Sequence, residues 1–228
     1  MADASFTSLA YYIDREWMQE AYRRTRKDGA AGVDNVTAEE YEKDLDGNLL
    51  SLLDRFKSGS YSAPPVKRVY IPKGDGKLRP IGIPALEDKV LQRAVVMVLT
   101  ALYEQDFLDC SYGFRPGRSV HQALEDMWRE IMRMGGCWVL EVDIKSYFDT
   151  VGHEHLRGFL RKRVRDGVIL RTIGKWLKAG VMEDGALHYP REGTPQGGVM
   201  TPRTQRVTLN LPGQLGTNRY VKMLDIMS

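Results

Sequence analysis

Trp138-Val-Leu-Glu-Val-Asp-Ile-Lys-Ser-Tyr-Phe-Asp149 decides how the rest of the chain is read. Trp138, Leu140, Val142 and Ile144 alternate with Val139, Glu141, Asp143 and Lys145, which is the period-2 pattern of a half-buried strand. Asp143 then falls on the polar side, beside the point where the chain leaves the sheet. Two readings are open here. A rigid strand is a good mount for a metal-binding carboxylate, because catalytic geometry tolerates only small errors. A strand-end acid can equally be an exposed residue pairing with a nearby Lys or Arg. Asp149 has a comparable ambiguity, since it can cap the helix that follows.

Working outward, the composition sets bounds. The chain has 228 residues, 43% hydrophobic and 28% charged, which fits one large or two small globular domains. The net charge is only +3, yet the sequence pI is about 8.8 and the basic residues cluster, so local patches matter more than the total. No run of 18 apolar residues marks a membrane span. The first residues lack the basic and apolar regions of a secretion signal. Cys110 and Cys137 are not a close-spaced pair, so free thiols in a reducing cytoplasm are expected rather than a disulfide or zinc site.

Residues 6–28 are expected to be helical, ending in the basic cluster Arg23 to Lys27 and Gly29. That cluster can be a solvated face or a phosphate contact. Thr37 and Glu40 fit a capping box, and Leu45, Leu49, Leu52, Leu53 and Phe56 recur at helical spacing, so one helix is predicted over 38–57, stopped by Gly59 and Pro64-Pro65. Val66–Ile71 and Lys77–Ile83 flank the turn signal Gly74-Asp75-Gly76, which predicts a hairpin. Lys67, Arg68, Lys73, Lys77 and Arg79 make it basic. Such a ribbon can grip phosphates, or its lysines can protect a sheet edge against aggregation. A third helix is expected over 87–108. A fourth begins at the Ser119/Gln122 capping box; Val120, Ala123, Leu124, Met127, Trp128, Ile131 and Met132 follow at helical spacing, and the Met and Trp residues of this face are expected in the core. Residues 153–180 read as helical, broken near Gly167, with eight basic residues: Arg157, Arg161, Lys162, Arg163, Arg165, Arg171, Lys175 and Lys178. That density points to nucleic-acid contact. His153 and His155 point in different directions on a helix, which argues against a two-histidine metal site. Gly193-Thr-Pro-Gln-Gly-Gly198 is a loop whose glycines permit close backbone approach to a ligand.

Five segments, in order, resemble the reverse transcriptases encoded by bacterial group II introns: Gly32-Val-Asp34, Ile71-Pro-Lys-Gly-Asp-Gly-Lys-Leu-Arg-Pro-Ile-Gly-Ile-Pro84, Ser111-Tyr-Gly-Phe-Arg-Pro116, Val142-Asp-Ile-Lys-Ser-Tyr-Phe-Asp149 and Gly193-Thr-Pro-Gln-Gly-Gly198. The resemblance covers about residues 29–202 and implies an α+β, right-hand polymerase fold: fingers with an incomplete palm, an antiparallel sheet with packed helices. The divisions it implies are an N-terminal helical extension over 1–65, fingers over 66–136, a partial palm with basic helices over 137–202 and a divergent tail over 203–228. It further implies that Asp143 and the Ile144 carbonyl bind two Mg²⁺ ions. Those ions activate a primer 3′-hydroxyl and steady the pyrophosphate leaving group. Lys73 and Arg79 would hold the triphosphate of a dNTP, Phe148 would gate the sugar, and Gln196 would sit near the sugar and base. The partners implied are intron RNA, or an RNA template with a DNA primer. Arg157, Arg161, Lys162, Arg165 and Lys175 are the expected RNA contacts, which would also suit a maturase.

The sequence also departs from that pattern. The second acidic motif of such polymerases, Tyr-x-Asp-Asp, is absent, and motif agreement stops at about Thr201-Pro202. The expectation is a frameshifted or truncated element that does not polymerise DNA alone. Two alternatives are a non-catalytic, maturase-like RNA-binding remnant and a decaying fragment with uncovered apolar surface. Residues 203–228 are expected to be a loosely held tail.

Overall fold

The computed structural model describes residues 4–72, 74, 76–135, 138 and 152–189. Among the described residues there are seven α-helices, α1 (Arg15–Arg23), α2 (Ala38–Glu42), α3 (Leu45–Ser58), α4 (Leu86–Tyr103), α5 (Val120–Met134), α6 (His153–Arg163) and α7 (Gly167–Leu177), and a 3₁₀ turn spans Leu9–Tyr12. Four strands, β1 (Val66–Pro72), β2 (Leu78–Ile83), β3 (Val181–Glu183) and β4 (Ala186–His188), form one sheet in the order β2-β1-β3-β4. The class is α+β, as expected. The sheet is mixed rather than wholly antiparallel, because β1 runs parallel to β3 while the outer pairs are antiparallel.

Helix α4 is the axis of the core. Val90, Leu91, Ala94 and Val95 are fully buried, together with Met18 and Ala21 of α1, Leu52 and Phe56 of α3, Leu156 and Leu160 of α6 and Ile169 of α7. Spacings of three and four put these residues on facing stripes. Trp17 fixes α1 to α4 by donating from Nε1 to the Ala94 carbonyl at 3.0 Å.

Two long helices expected from periodicity are each divided by an aspartate. Asp14 accepts from the Trp17 N–H and starts α1, separating it from the 3₁₀ turn. Asp44 accepts from the Gly47 N–H and starts α3, separating it from α2. A side chain that satisfies an orphan N–H begins a new helix even where the apolar repeat continues. Asp166 does the same for α7, accepting from the N–H groups of Val168 and Ile169, so the break near Gly167 is a capped junction. The predicted stops hold at Gly59 and Gly135, both left-handed, with φ of 81° and 66°. The third helix ends at Tyr103, short of the expected 108.

Two further expectations meet a definite outcome, and one hairpin is new. The β1/β2 hairpin forms, in the register Lys67↔Ile83 to Pro72↔Leu78. The β3/β4 hairpin was not foreseen. It turns on Asp184 and Gly185, whose φ values are 48° and 82°, and Asp-Gly is a strong signal for this two-residue turn. The expectation that the apolar face of α5 lies in the core is corrected: only Ala123 is buried, Trp128 is 58% exposed and Met132 61% exposed. Helical spacing gives an amphipathic face but not what covers it.

Candidate nucleic-acid interface

Five of the expected site residues, Lys73, Asp143, Ile144, Phe148 and Gln196, lie outside the described residues. Of the stretch 138–149 only Trp138 is described, and it is exposed. Among the described residues no group of three His, Cys, Asp or Glu could hold a metal ion. What is described is the basic hairpin and the α6–α7 corner, with the scaffold that positions both.

The hairpin register sorts its cations. Lys67, Val69 and Ile71 share one face with their partners Ile83, Ile81 and Arg79. Lys67 and Arg79 therefore stand on the same face, about 13 Å apart along the strand direction, with an apolar strip between them. Arg68 lies on the opposite face with Tyr70 and Leu78. Tyr70 donates from its hydroxyl to Glu183 of β3, tying the two hairpins together. Of the cations that sequence alone groups as one basic ribbon, Lys67 and Arg79 thus stand on one surface and Arg68 on the other.

A buried polar joint anchors the root of the hairpin. Asp88 of α4 is 2% exposed. It accepts from the Tyr61 hydroxyl, from Trp176 Nε1 of α7 at 2.6 Å and from Gln92 Nε2 at 3.0 Å. Burial pushes its carboxyl up to about 6, against those three donors, with Glu87 adding a little in the same direction. Burial, then Asp88, raises the Tyr61 phenol strongly. Lys175 is turned toward the same joint: its ammonium donates to the carbonyls of Gly59 and Tyr61 at 2.6 and 2.5 Å. Beside it, Arg55 and Glu87 form a two-bonded pair at 2.9 and 2.6 Å between α3 and α4.

The other expected RNA contacts lie on α6 and at its end. Arg161, Lys162 and Arg165 are exposed, and the Lys162 ammonium sits 5.2 Å over the Phe159 ring. Arg157 is half-buried, and its shielded Nε makes no hydrogen bond. Arg163, in the same run, is buried. Its Nε lies 2.9 Å from Asp106 in a charge contact that is not an aligned hydrogen bond, and its Nη1 donates to the Ala4 carbonyl at 2.8 Å. The N-terminal segment completes the corner. Phe6 pairs with Val164 through bonds of 2.8 Å to Arg163 and Arg165, and Asp166 accepts from the Ala10 N–H at 2.8 Å.

Two of the motif segments are structural here. At Gly32 a Cβ would lie 2.6 Å from the Ala85 backbone, so only glycine lets this turn rest against the start of α4. Arg115 is buried along its side chain and holds the exit of α4. It bonds Glu104 at 2.7 Å and the carbonyls of Leu108 and Ser111 at 2.8 and 3.0 Å, and lies 5.6 Å from the Phe107 ring centroid.

A family model described as reverse transcriptase (RNA-dependent DNA polymerase) matches residues 71–219, beyond the point at Pro202 where the motifs stop agreeing. Protein YkfC of Escherichia coli (strain K12) is 42% identical over 212 residues, covering 90% of this chain and 56% of that protein. The group II intron-encoded protein LtrA of Lactococcus lactis subsp. cremoris is 35% identical over 210 residues, covering 91% of this chain and 35% of that protein. The chain thus spans about half or less of the length of these relatives. Among solved structures, a chain of a partial Cas6-RT-Cas1–Cas2 complex shares the fold with a TM-score of 0.56 at 22% identity, covering 90% of this chain and 34% of that one. No described helix is long and apolar enough to cross a membrane. The chain belongs to the reverse transcriptase family, within the group II intron-encoded reverse transcriptases and maturases.

Proposed function

We propose that this chain supplies the fingers and part of the palm of a group II intron reverse transcriptase. Its basic surfaces would hold RNA, and Asp143 would be its metal-binding carboxylate. The observation that carries the reading is the shared face of Lys67 and Arg79, a pair of cations flanking an apolar strip on a braced hairpin. That spacing suits phosphates over an apolar base or sugar. Arg79, with Lys73 beside the same turn, would hold the triphosphate of the incoming nucleotide. Arg161, Lys162 and Arg165 would contact template or intron RNA. Lys175 is left out of this assignment, because its ammonium already bonds two backbone carbonyls.

Asp143 and the Ile144 carbonyl offer hard oxygens of the kind Mg²⁺ prefers. When bound, Mg²⁺ would supply charge stabilisation and an activated primer hydroxyl. The 228 residues contain no Tyr-x-Asp-Asp. Polymerisation would therefore require a further acidic segment in the same site, and the purified chain would bind RNA without extending a primer. Primer extension on an RNA template tests this. The expected result is salt-sensitive RNA binding with no incorporation. Robust synthesis abolished by Asp143→Asn would overturn it and establish a complete site in this chain. The missing acidic motif equally favours a second reading, a maturase-like RNA-binding role, which shares the binding and not the incorporation.

A further inference from the structure

We propose that Tyr11 and Tyr12 form a stacking platform for unpaired nucleobases, placed beside the basic corner of Arg161, Lys162 and Arg165. This inference rests on the reading of that corner as an RNA contact.

The two rings are unusual for tyrosines in this part of the fold. Tyr22 and Tyr41 are buried and stacked on each other, whereas Tyr11 is 79% and Tyr12 64% exposed. Their centroids lie 5.8 Å apart with the rings at 83°, so one ring braces the other edge-on and a face remains open. Their mount is rigid. The same 3₁₀ turn buries Leu9 and Ala10 on its inner side, and Ile13, the next residue after it, is fully buried. The Ala10 N–H is fixed to Asp166 at 2.8 Å.

That anchoring also sets what lies next to the rings. Asp166 follows Arg165 directly, and Arg165 is bonded through its backbone to Phe6 at 2.8 Å. Arg161 and Lys162 emerge from the last turn of α6. Of the neighbouring acids, Asp166 is buried where it caps α7, while Asp14, which caps α1, and Glu16 of its first turn are exposed. The surface thus combines exposed aromatic faces with the exposed cations Arg161, Lys162 and Arg165 of the adjoining corner. This is the chemistry that holds single strands, with bases stacking on rings while cations follow the phosphates. A duplex keeps its base faces covered and can use only the cations.

The experiment measures fluorescence anisotropy of a labelled single-stranded RNA and of a duplex of equal length, each across a salt series. For the Tyr11→Ala/Tyr12→Ala variant, single-strand affinity is expected to fall about tenfold. Duplex affinity and the salt slope should stay unchanged, and Tyr11→Phe/Tyr12→Phe should bind like the parent. Arg161→Gln/Arg165→Gln should weaken both RNAs and flatten the slope. Single-strand binding unchanged in the alanine variant, while the arginine variant loses affinity, overturns the platform and leaves the basic corner standing. Equal loss for both RNAs in the alanine variant also overturns it, since the rings would then only support the corner. Ring-dependent self-association of the parent in sedimentation, without a single-strand preference, assigns the rings to a protein contact and overturns it as well. No RNA binding by the parent protein overturns the platform and the reading beneath it together.

Discussion

The basic run from Arg157 to Lys178 contains two regions that look alike in sequence and do opposite work. Arg163 and Lys175 turn inward, one to Asp106 and the Ala4 carbonyl, the other to the carbonyls of Gly59 and Tyr61. Arg161, Lys162 and Arg165 turn outward and are exposed. On α6 the difference follows from helix phase. Leu156, Leu160 and Arg163 recur on the buried stripe of α6, and Arg161 and Lys162 fall off it. Counting charges identifies a basic region, but the phase against the core decides which cations a ligand can reach.

The largest effect that separates the two groups is expected at Arg163. Arg163→Ala leaves Asp106 uncompensated in a site where both side chains are mostly shielded. It also frees the N-terminal segment that the arginine holds through Ala4. A loss of about 4 kcal/mol is expected, read by urea unfolding. A loss below about 1 kcal/mol would show that the inward arginine is no different from the outward ones.

Asp88 comes next. Asp88→Ala would remove the acceptor shared by the Tyr61 hydroxyl, Trp176 Nε1 and Gln92 Nε2, leaving the indole its 3.0 Å bond to the Tyr61 oxygen, at an expected cost of about 3 kcal/mol. Its charge carries a distinct pH signature. The folded carboxyl titrates at about 6 against an ordinary value of 3.8, so between those values the native state holds more proton than the unfolded chain. Stability from this group is therefore greatest at or below about pH 4, declines as pH rises through 6 and is flat above. The total is on the order of 3 kcal/mol. Asp88→Asn removes the titration, so the stability difference between parent and variant, followed from pH 4 to 7, should change by that amount. A difference independent of pH would mean that Asp88 does not titrate in this window.

Much of this frame is legible in the sequence. The β1/β2 hairpin follows from alternation around Gly74-Asp75-Gly76, and α5 begins at the Ser119 capping box with both of its reciprocal bonds formed. The misses have physical causes. Periodicity carries through Asp14 and Asp44, because a cap interrupts the hydrogen bonds and not the apolar repeat. The Asp184-Gly185 turn went unread because β3 and β4 are only three residues each, too short for alternation to show. The exposure of Trp128 and the inward turn of Lys175 both depend on which neighbours cover a face, and local pattern does not encode that. Of the candidate site, charge density found the α6 corner. It did not find Tyr11 and Tyr12, whose surroundings come from residues more than 150 positions away.

Lys175 offers a smaller and sharper test than Arg163, because its role is confined to two carbonyls. Lys175→Met keeps the apolar stem and removes the ammonium, and a loss of about 1–2 kcal/mol is expected. RNA affinity at moderate salt should be unchanged, since this cation does not face solvent freely.

The smallest effect on stability is expected where the largest effect on binding lies. Arg161→Gln and Arg165→Gln remove exposed charges, so unfolding free energy should move by no more than about 0.5 kcal/mol. The log-log salt dependence of RNA binding should flatten by about 1.4 to 1.8 when both are removed, because a phosphate that is no longer neutralised by an arginine keeps its counterion. The two readouts thus exchange places between the inward and the outward cations. If Arg163→Ala flattened the salt slope as much, or the outward pair destabilised the fold as much, the division of this basic run by helix phase would fail, whatever the protein's activity. The comparison rests on the geometry of α6 and α7 alone, so it can be broken without knowing which RNA is bound.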